Sequence, residues 1–195
     1  MPQPGRVACR SAAVERTGRA CCTWGMDVAA LLVECYGRIP PLADEAVEGL
    51  TPAELVTQVE PGANPVGWLV WHAARVQDHH LAEVMGTDQL WATGPWAAEV
   101  GLEPHPANTG YGHTPDQVAA VRPTGPAVLT GYLRAVAERT AGYLATLATD
   151  DLDRIVDRRW DPPVSLGVRL VSVADDSLQH LGQAAFARGI LLRRR

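Results

Sequence analysis

The residues best suited to chemistry are an acid and an imidazole four positions apart near the end of the chain, Asp176 and His180. In a helix, residues four apart lie one above the other on the same face. That face would also carry Val173 and Ala184, which normally point to a core. Burying a carboxylate and an imidazole there is unfavourable unless each finds a partner or a metal ion. The spacing alone leaves two interpretations open: a hydrogen-bonded core pair, or two ligands of a metal site.

Three further residues are candidates for a site. His72 lies in the apolar stripe of another helical pattern, where a buried histidine that donates to a backbone carbonyl is the simpler interpretation. His113 lies in a long connection, just before a capping box formed by Thr114 and Gln117. A solvated turn residue is the commoner role there, and a role in catalysis is the alternative. Arg169 shares the predicted stripe of Asp176.

Four segments with helical periodicity must position these residues. They are residues 27–49, 64–86, 124–147 and 164–195. One long connection, 87–123, separates the second segment from the third, and no strand pattern of comparable strength or internal repeat is present. We therefore predict an all-α protein, an antiparallel four-helix bundle with a long connection between helices 2 and 3.

Local signals also predict where these helices begin and end. Asp27 can cap the first helix, which is either kinked near Arg38 or divided there into two short helices by the following prolines. Asn64 can cap the second, with the next residue, a proline, at its first position and Gly86 as its stop. Ser165 can cap the fourth. Ser172 and Gln183 lie beside the predicted stripe of Asp176 and His180 on that helix.

Composition excludes several classes of function. The chain has 195 residues and a net charge of -5, and its 17 basic residues are all arginine. The only basic run is Arg193 to Arg195, so we predict no nucleic-acid surface. No apolar run is long enough to span a membrane, and the first 25 residues do not form a secretory signal. We therefore expect a cytoplasmic protein that binds neither nucleic acid nor membrane.

The chain divides into a short leader and one domain. Nothing predicts order in residues 1–25, so we expect a disordered leader, followed by a bundle domain over residues 26–195. Three of the four cysteines lie in the leader without zinc-finger or redox spacing, which argues against a disulfide framework. Cys35 fits a core thiol better than a nucleophile.

With the helices placed, the chain resembles the DinB-like superfamily of metal-binding four-helix bundles, in particular its actinobacterial, mycothiol-associated branch. The likeness covers nearly everything after Met26. Three segments carry it: NPVGWLVWHAARVQDHH at 64–80, TGYGHT at 109–114, and WDPPVSLGVRLVSVADDSLQHLGQAAFARG at 160–189. The lack of lysine, with abundant alanine, arginine and glycine, is typical of the coding bias of a high-GC bacterium.

The resemblance implies a ligand set for a divalent metal. The superfamily places one histidine on its second helix and a pair of ligands four apart on its fourth. His72 matches the first position and His180 the last. Asp176 stands where many relatives have histidine and where the mycothiol-dependent maleylpyruvate isomerase has glutamate. The implied site is therefore a histidine, carboxylate, histidine set, for which zinc is the expected metal.

The same resemblance implies a metal-dependent thiol S-transferase, with mycothiol or a similar small thiol as co-substrate and a small electrophile as substrate. Arg169 is then a candidate for binding the co-substrate, and Ser172 and Gln183 are placed to orient the metal ligands. Two alternatives remain. One is a non-catalytic bundle that is merely structural or holds a metal without turnover. The other is a thiol-dependent isomerase, which ranks lower because the chain ends soon after the fourth helix and leaves no room for that isomerase's second domain. Relatives often pair, so a homodimer is also compatible with the sequence.

Overall fold

The computed structural model describes residues 25–195. The predicted leader, residues 1–25, lies outside this range except for its last residue. Nine α-helices are formed within the described residues: α1 (Val28–Gly37), α2 (Ile39–Val47), α3 (Pro52–Leu55), α4 (Val66–Met85), α5 (Leu90–Thr93), α6 (Trp96–Val100), α7 (Pro115–Ala120), α8 (Pro126–Leu144) and α9 (Leu166–Arg193). A short 3-10 helix covers Thr149–Asp153, and two short strands are β1 (Ile155–Asp157) and β2 (Val164–Ser165).

The core is built by four of these helices. α4 packs against α9 and α8, and α2 packs against the same two helices. Their inner faces supply most of the fully buried apolar side chains, among them Trp71, Leu133 and Leu170. The prediction of an all-α, DinB-like four-helix bundle is confirmed. No helix within residues 25–195 combines the length and apolar character needed to cross a membrane.

The first predicted helix is two helices. Asp27 caps α1 as expected, and its carboxylate accepts a hydrogen bond from the Ala30 amide at 2.8 Å. The chain then turns at Arg38 and starts α2, with Pro40 and Pro41 in its first turn. Prolines are tolerated there because the amides of a first turn have no acceptor within the helix. The sequence allowed one kinked helix or two short helices, and the structure has the two short helices.

The cap predicted for the second helix was wrong by one residue. Pro65 has an extended backbone, with φ −65° and ψ 156°, and itself occupies the cap position, so α4 begins at Val66 instead of Pro65. Asn64 therefore lies before the cap. The other end is as predicted, because Gly86 stops the helix in the left-handed conformation at φ 66°. Ser165 caps α9 and accepts from the Val168 amide at 3.4 Å.

The long connection is folded and brings its central residues to the bundle. It contains α5, α6 and α7, and Thr114 and Gln117 form the predicted capping box at the start of α7. The antiparallel pair of β1 and β2 was not predicted. Strands of three and two residues are too short to show an alternating pattern. This pair leads the chain into α9 and holds Asp157 beside that helix.

Candidate metal centre

The structure brings His72, Asp176 and His180 together on the facing sides of α4 and α9. One ligand atom from each residue lies within 4.8 Å of the other two. Asp176 Oδ1 is 3.9 Å from His72 Nε2, and the two imidazole rings are 4.5 Å apart at their centroids. Because α4 packs along α9, residues far apart in sequence converge at one point of the bundle.

His72 is held in an orientation that suits a metal ligand. Its Nδ1 donates to the Thr109 carbonyl at 2.6 Å, which leaves Nε2 directed towards the other two residues. A second hydrogen bond of this kind is usual for metal-bound histidine, since it fixes both tautomer and ring. The Trp68 indole stacks on the same ring, with centroids 4.7 Å apart. Burial lowers the pKa of His72, so the ring stays neutral, as coordination requires.

His180 is positioned by the residue one turn before it. Its Nδ1 lies 2.8 Å from the Asp176 carbonyl oxygen and 3.5 Å from Asp176 Oδ2. The Asp176 carboxylate raises the pKa of His180 because it stabilises the imidazolium. Nδ1 is therefore occupied by its contacts with Asp176, and Nε2 is the ring nitrogen that remains available to a metal.

The Asp176 carboxylate gives the clearest sign that a cation fits here. Its Oδ2 is buried and makes no hydrogen bond within residues 25–195, although His180 Nδ1 lies 3.5 Å away. A buried carboxylate oxygen that makes no hydrogen bond is unfavourable unless a cation completes its surroundings. Zinc bonds of about 2.0–2.2 Å place tetrahedral ligand atoms about 3.4 Å apart, close to the 3.9 Å between Asp176 Oδ1 and His72 Nε2. The donor set and its spacing therefore fit a divalent metal.

A buried arginine, which sequence analysis missed, holds the segment that orients His72. The Arg75 side chain is fully buried on α4. Its guanidinium donates to the carbonyl oxygens of Asn108 and Pro106, each at 2.9 Å, and to Gln89 Oε1 at 2.9 Å. These contacts fix the chain just before Thr109. The only signal in the sequence was an arginine within an apolar helical stripe, which is more often a side chain that reaches the surface.

His113 does not face the three donors. Its Nδ1 accepts from the Trp68 indole N–H at 3.2 Å, and its Nε2 donates to Asn108 Oδ1 at 2.8 Å. Both ring nitrogens are therefore used to attach the long connection to α4. In this arrangement the ring supports Trp68, and through it His72, and has no free nitrogen for a proton transfer.

The groups that orient the candidate ligands are not the ones that the sequence predicted. Ser172 is exposed, and its hydroxyl donates to the Val168 carbonyl one turn earlier. Gln183 is exposed as well. The prediction that these two contact the ligands was wrong because both lie on the solvent side of α9. The orienting partners are the Thr109 carbonyl and the backbone of Asp176 itself.

An open cleft of about 660 Å³ adjoins the donors. Its histidine and charged lining comes from seven side chains: His72, His79, His80, Asp157, Arg159, Arg169 and Asp176. Arg169, the predicted co-substrate residue, therefore lies in the same cleft as two of the candidate ligands. The cleft gives a small molecule access to the point where the donors converge.

A second group of possible ligands lies on the cleft wall, formed by His79, His80 and Glu83. Gln89 uses its carbonyl oxygen to accept from Arg75, so its amide N–H₂ must face His79 Nδ1, 3.1 Å away. His79 Nδ1 is thus an acceptor, and the neutral ring carries its proton on Nε2. In that tautomer Nε2–H is a hydrogen-bond donor, so the ring is poorly suited to bind a metal through Nε2.

The fold and the donor set together define a class, a DinB-like helical bundle with a candidate metal centre on its inner face. Residues 42–191 match the family described as Mycothiol-S-transferase. The chain belongs to this mycothiol-S-transferase family, which is one of the DinB-like families.

The chain is also similar to a protein of known structure. The chain is similar to the crystal structure of a conserved protein from Enterococcus faecalis, with 32% identity and a TM-score of 0.78. The similarity covers 86% of this chain and 99% of the other. No curated protein matches the chain.

Proposed function

We propose that the protein is a divalent-metal-dependent S-transferase that joins mycothiol, or a similar small thiol, to small electrophiles. One observation carries the proposal: ligand atoms of His72, Asp176 and His180 converge within 4.8 Å of one another beside an open cleft. Membership of the mycothiol-S-transferase family supports the choice of thiol. Zinc is the metal we propose, since it accepts two imidazoles and a carboxylate and leaves a position for a small molecule.

When bound, such a metal would lower the pKa of a thiol beside it, so that thiolate is available at neutral pH. The chain's own residues prepare the site for this. Thr109 fixes the ring and the tautomer of His72. Asp176 supplies the negative charge, and Trp68 covers one face of His72 and limits the access of water. No protein side chain needs to act as the nucleophile.

In the transfer, the thiol sulfur forms a bond to an electrophilic carbon. When the electrophile carries a leaving group, that group departs with its bonding electrons and the thiol proton is released to solvent. When the electrophile is an activated alkene, its second carbon takes a proton instead. The cleft beside Asp176 is large enough for a thiol and a small electrophile to lie next to each other.

The test combines elemental analysis with an activity assay on the full-length protein. We expect about one divalent metal per chain, and transfer of mycothiol to chlorodinitrobenzene that is lost with a chelator and restored by zinc. His180→Ala and Asp176→Ala should weaken zinc binding by more than the roughly 10–100-fold that loss of an outer partner causes. His105→Ala is the matched control, because His105 is exposed and does not line the cleft.

The possible results separate the alternatives. Transfer by metal-free protein, or full activity in His180→Ala, would refute the proposed mechanism. A protein that binds zinc through these residues, but in which no thiol reacts with any electrophile, would be the non-catalytic metal-binding bundle instead.

A further inference from the structure

Arg169 lies in the cleft with unused hydrogen-bond donors. Its side chain is 12% exposed, and its Nη2 donates to Asp157 Oδ2 at 2.9 Å. Within residues 25–195, its Nε and Nη1 make no hydrogen bond. Arginine presents its donors in a fixed plane, in which the second N–H of Nη2 forms, with Nε or Nη1, a pair of parallel donors that matches a carboxylate. Because Arg169 lines the cleft and its unbonded N–H groups are not buried, these groups are accessible and point to an anionic ligand.

Asp157 holds this guanidinium in place. The Asp157 side chain is 2% exposed at the end of β1. Its Oδ1 accepts from the backbone and Nε of Arg159, at 3.0 and 2.9 Å, and its Oδ2 accepts from Nη2 of Arg159 and Nη2 of Arg169. Hydrogen bonds from Arg159 hold the pKa of Asp157 well below its usual range, so the carboxylate is charged at any working pH.

Arg169 shares its acidic partner with a second arginine. Asp157 contacts both guanidiniums, those of Arg159 and Arg169. Glu83 forms a further ion pair, at 3.9 Å, with Arg159 and none with Arg169. Burial, assisted by Arg169, lowers the pKa of the neighbouring His80 to about 4, so that ring is neutral at neutral pH. A monoanion such as a carboxylate would give Arg169 a partner that it does not share.

Arg169 lies close to the candidate metal centre. Arg169 precedes Asp176 by seven residues on α9, which is two turns or about 10 Å along the helix. Both residues line the same cleft. Two aromatic side chains there, Tyr111 and Trp160, are 93% and 65% exposed. A compact organic anion could pack against these rings while its reactive carbon lies near Asp176.

We propose that Arg169, oriented by Asp157, binds the carboxylate of the electrophilic substrate, so that the enzyme selects small organic acids over neutral electrophiles. This proposal rests on the proposed function, whose thiol would attack the other end of the same molecule. Arg159 keeps Asp157 in place and adds to the positive potential of the cleft.

A binding experiment tests the subsite without any need for turnover. The zinc-loaded full-length protein is titrated calorimetrically with dinitrophenylpropanoate, which has no leaving group, and with its methyl ester. We expect the acid to bind at least about tenfold more tightly than the ester, because a charge-assisted bidentate pair is lost in the ester. Arg169→Gln should remove this preference, and Arg169→Lys should retain only part of it.

Arg158→Gln is the matched control, since Arg158 is exposed and makes no hydrogen bond or ion pair within the described residues. It should keep the full preference for the acid. Circular dichroism checks that Arg169→Gln is folded. Arg159→Gln, which removes one support of Asp157 but leaves the Arg169 guanidinium, should weaken the preference for the acid without removing it. Equal binding of acid and ester by the unmodified protein, or a preference that survives in Arg169→Gln, would overturn the proposal.

A reactive version of the same pair keeps this result separate from the proposed function. A chlorodinitrobenzene that carries propanoate para to the chlorine, and its methyl ester, are offered with mycothiol. Here the sulfur bonds to the ring carbon, chloride leaves with the bonding pair, and the thiol proton goes to solvent. A protein that prefers the acid in the titration but releases no chloride would refute the transferase and retain the carboxylate subsite. Chloride release at equal rates from acid and ester would support the transferase and refute the carboxylate subsite.

Discussion

Gly110 is a residue at which a single methyl group should selectively disturb the candidate metal centre. It has φ 95°, a conformation that residues with a side chain rarely adopt. A β-carbon there would lie 2.7 Å from His72 Nδ1 and 2.9 Å from Trp71 Cζ3. Both distances are shorter than van der Waals contact. The glycine therefore allows the backbone to approach the imidazole closely, and it directly follows Thr109, whose carbonyl accepts from that ring.

Gly112 provides the matched control for Gly110→Ala. It also has a positive φ, 70°, but a β-carbon there would contact nothing within 4 Å. Gly112→Ala should therefore carry only the left-handed backbone penalty of roughly 1–2 kcal/mol. Gly110→Ala carries that penalty and must also push the loop away from His72. Separation of the Thr109 carbonyl from His72 removes an outer partner, which typically lowers metal affinity by about 10–100-fold.

The assay measures zinc affinity by competition with a chromophoric chelator, and the free energy of unfolding of metal-free protein by urea titration. We expect Gly112→Ala to keep the zinc affinity of the unmodified protein. Gly110→Ala should lose more stability and about 10–100-fold in zinc affinity. If Gly110→Ala binds zinc as tightly as Gly112→Ala, the close packing of this loop on His72 does not control the ligand, and the reasoning is refuted.

Two other substitutions test the buried side chains of α4. Arg75→Met should lower the free energy of unfolding by about 3–5 kcal/mol, since it leaves buried acceptors unpaired. Arg134→Met, which breaks an exposed pair with Asp44, should cost about 1 kcal/mol or less in urea titrations, and equal losses would contradict the structural role of Arg75. His80 has a pKa lowered to about 4 from 6.5 by burial, so its contribution to stability is present above pH 6.5 and is lost as pH falls through about 4. His80→Asn should reduce this pH dependence by roughly 3 kcal/mol at most, measured by urea titrations across that range, and an unchanged slope would show that the ring is not buried as described.

Signals that depend on neighbouring residues were predicted well from the sequence. Asp27, Thr114 and Ser165 each accept a backbone hydrogen bond at the start of a helix, as expected. A cap needs only the few residues around it, so its pattern can be recognised without knowledge of the fold. The error at Asn64 has the same local origin, because a proline can occupy either the cap or the first helical position, and the sequence does not distinguish them.

The meeting of His72 with Asp176 and His180 could not be derived from spacing. It depends on which faces of two helices pack together, and His72 and Asp176 are more than a hundred positions apart in the chain. The resemblance to a known superfamily supplied that expectation. Arg169 was predicted to bind the co-substrate because of its place on the same helical stripe as Asp176. Its anchoring by Asp157 depends on a strand pair too short to be recognised in the sequence.

The part of the site that sequence analysis missed lies within α4, the second predicted helix. His72 and Arg75 are three residues apart on α4, so they share a face. Arg75 holds the carbonyls of Pro106 and Asn108, and the next carbonyl along, that of Thr109, orients His72. One helical turn therefore supplies both the candidate ligand and the charge that fixes the ligand's partner. Because those carbonyls belong to a distant loop, no local pattern reports the link, and a site deduced from its ligands alone lacks the residue that sets their geometry.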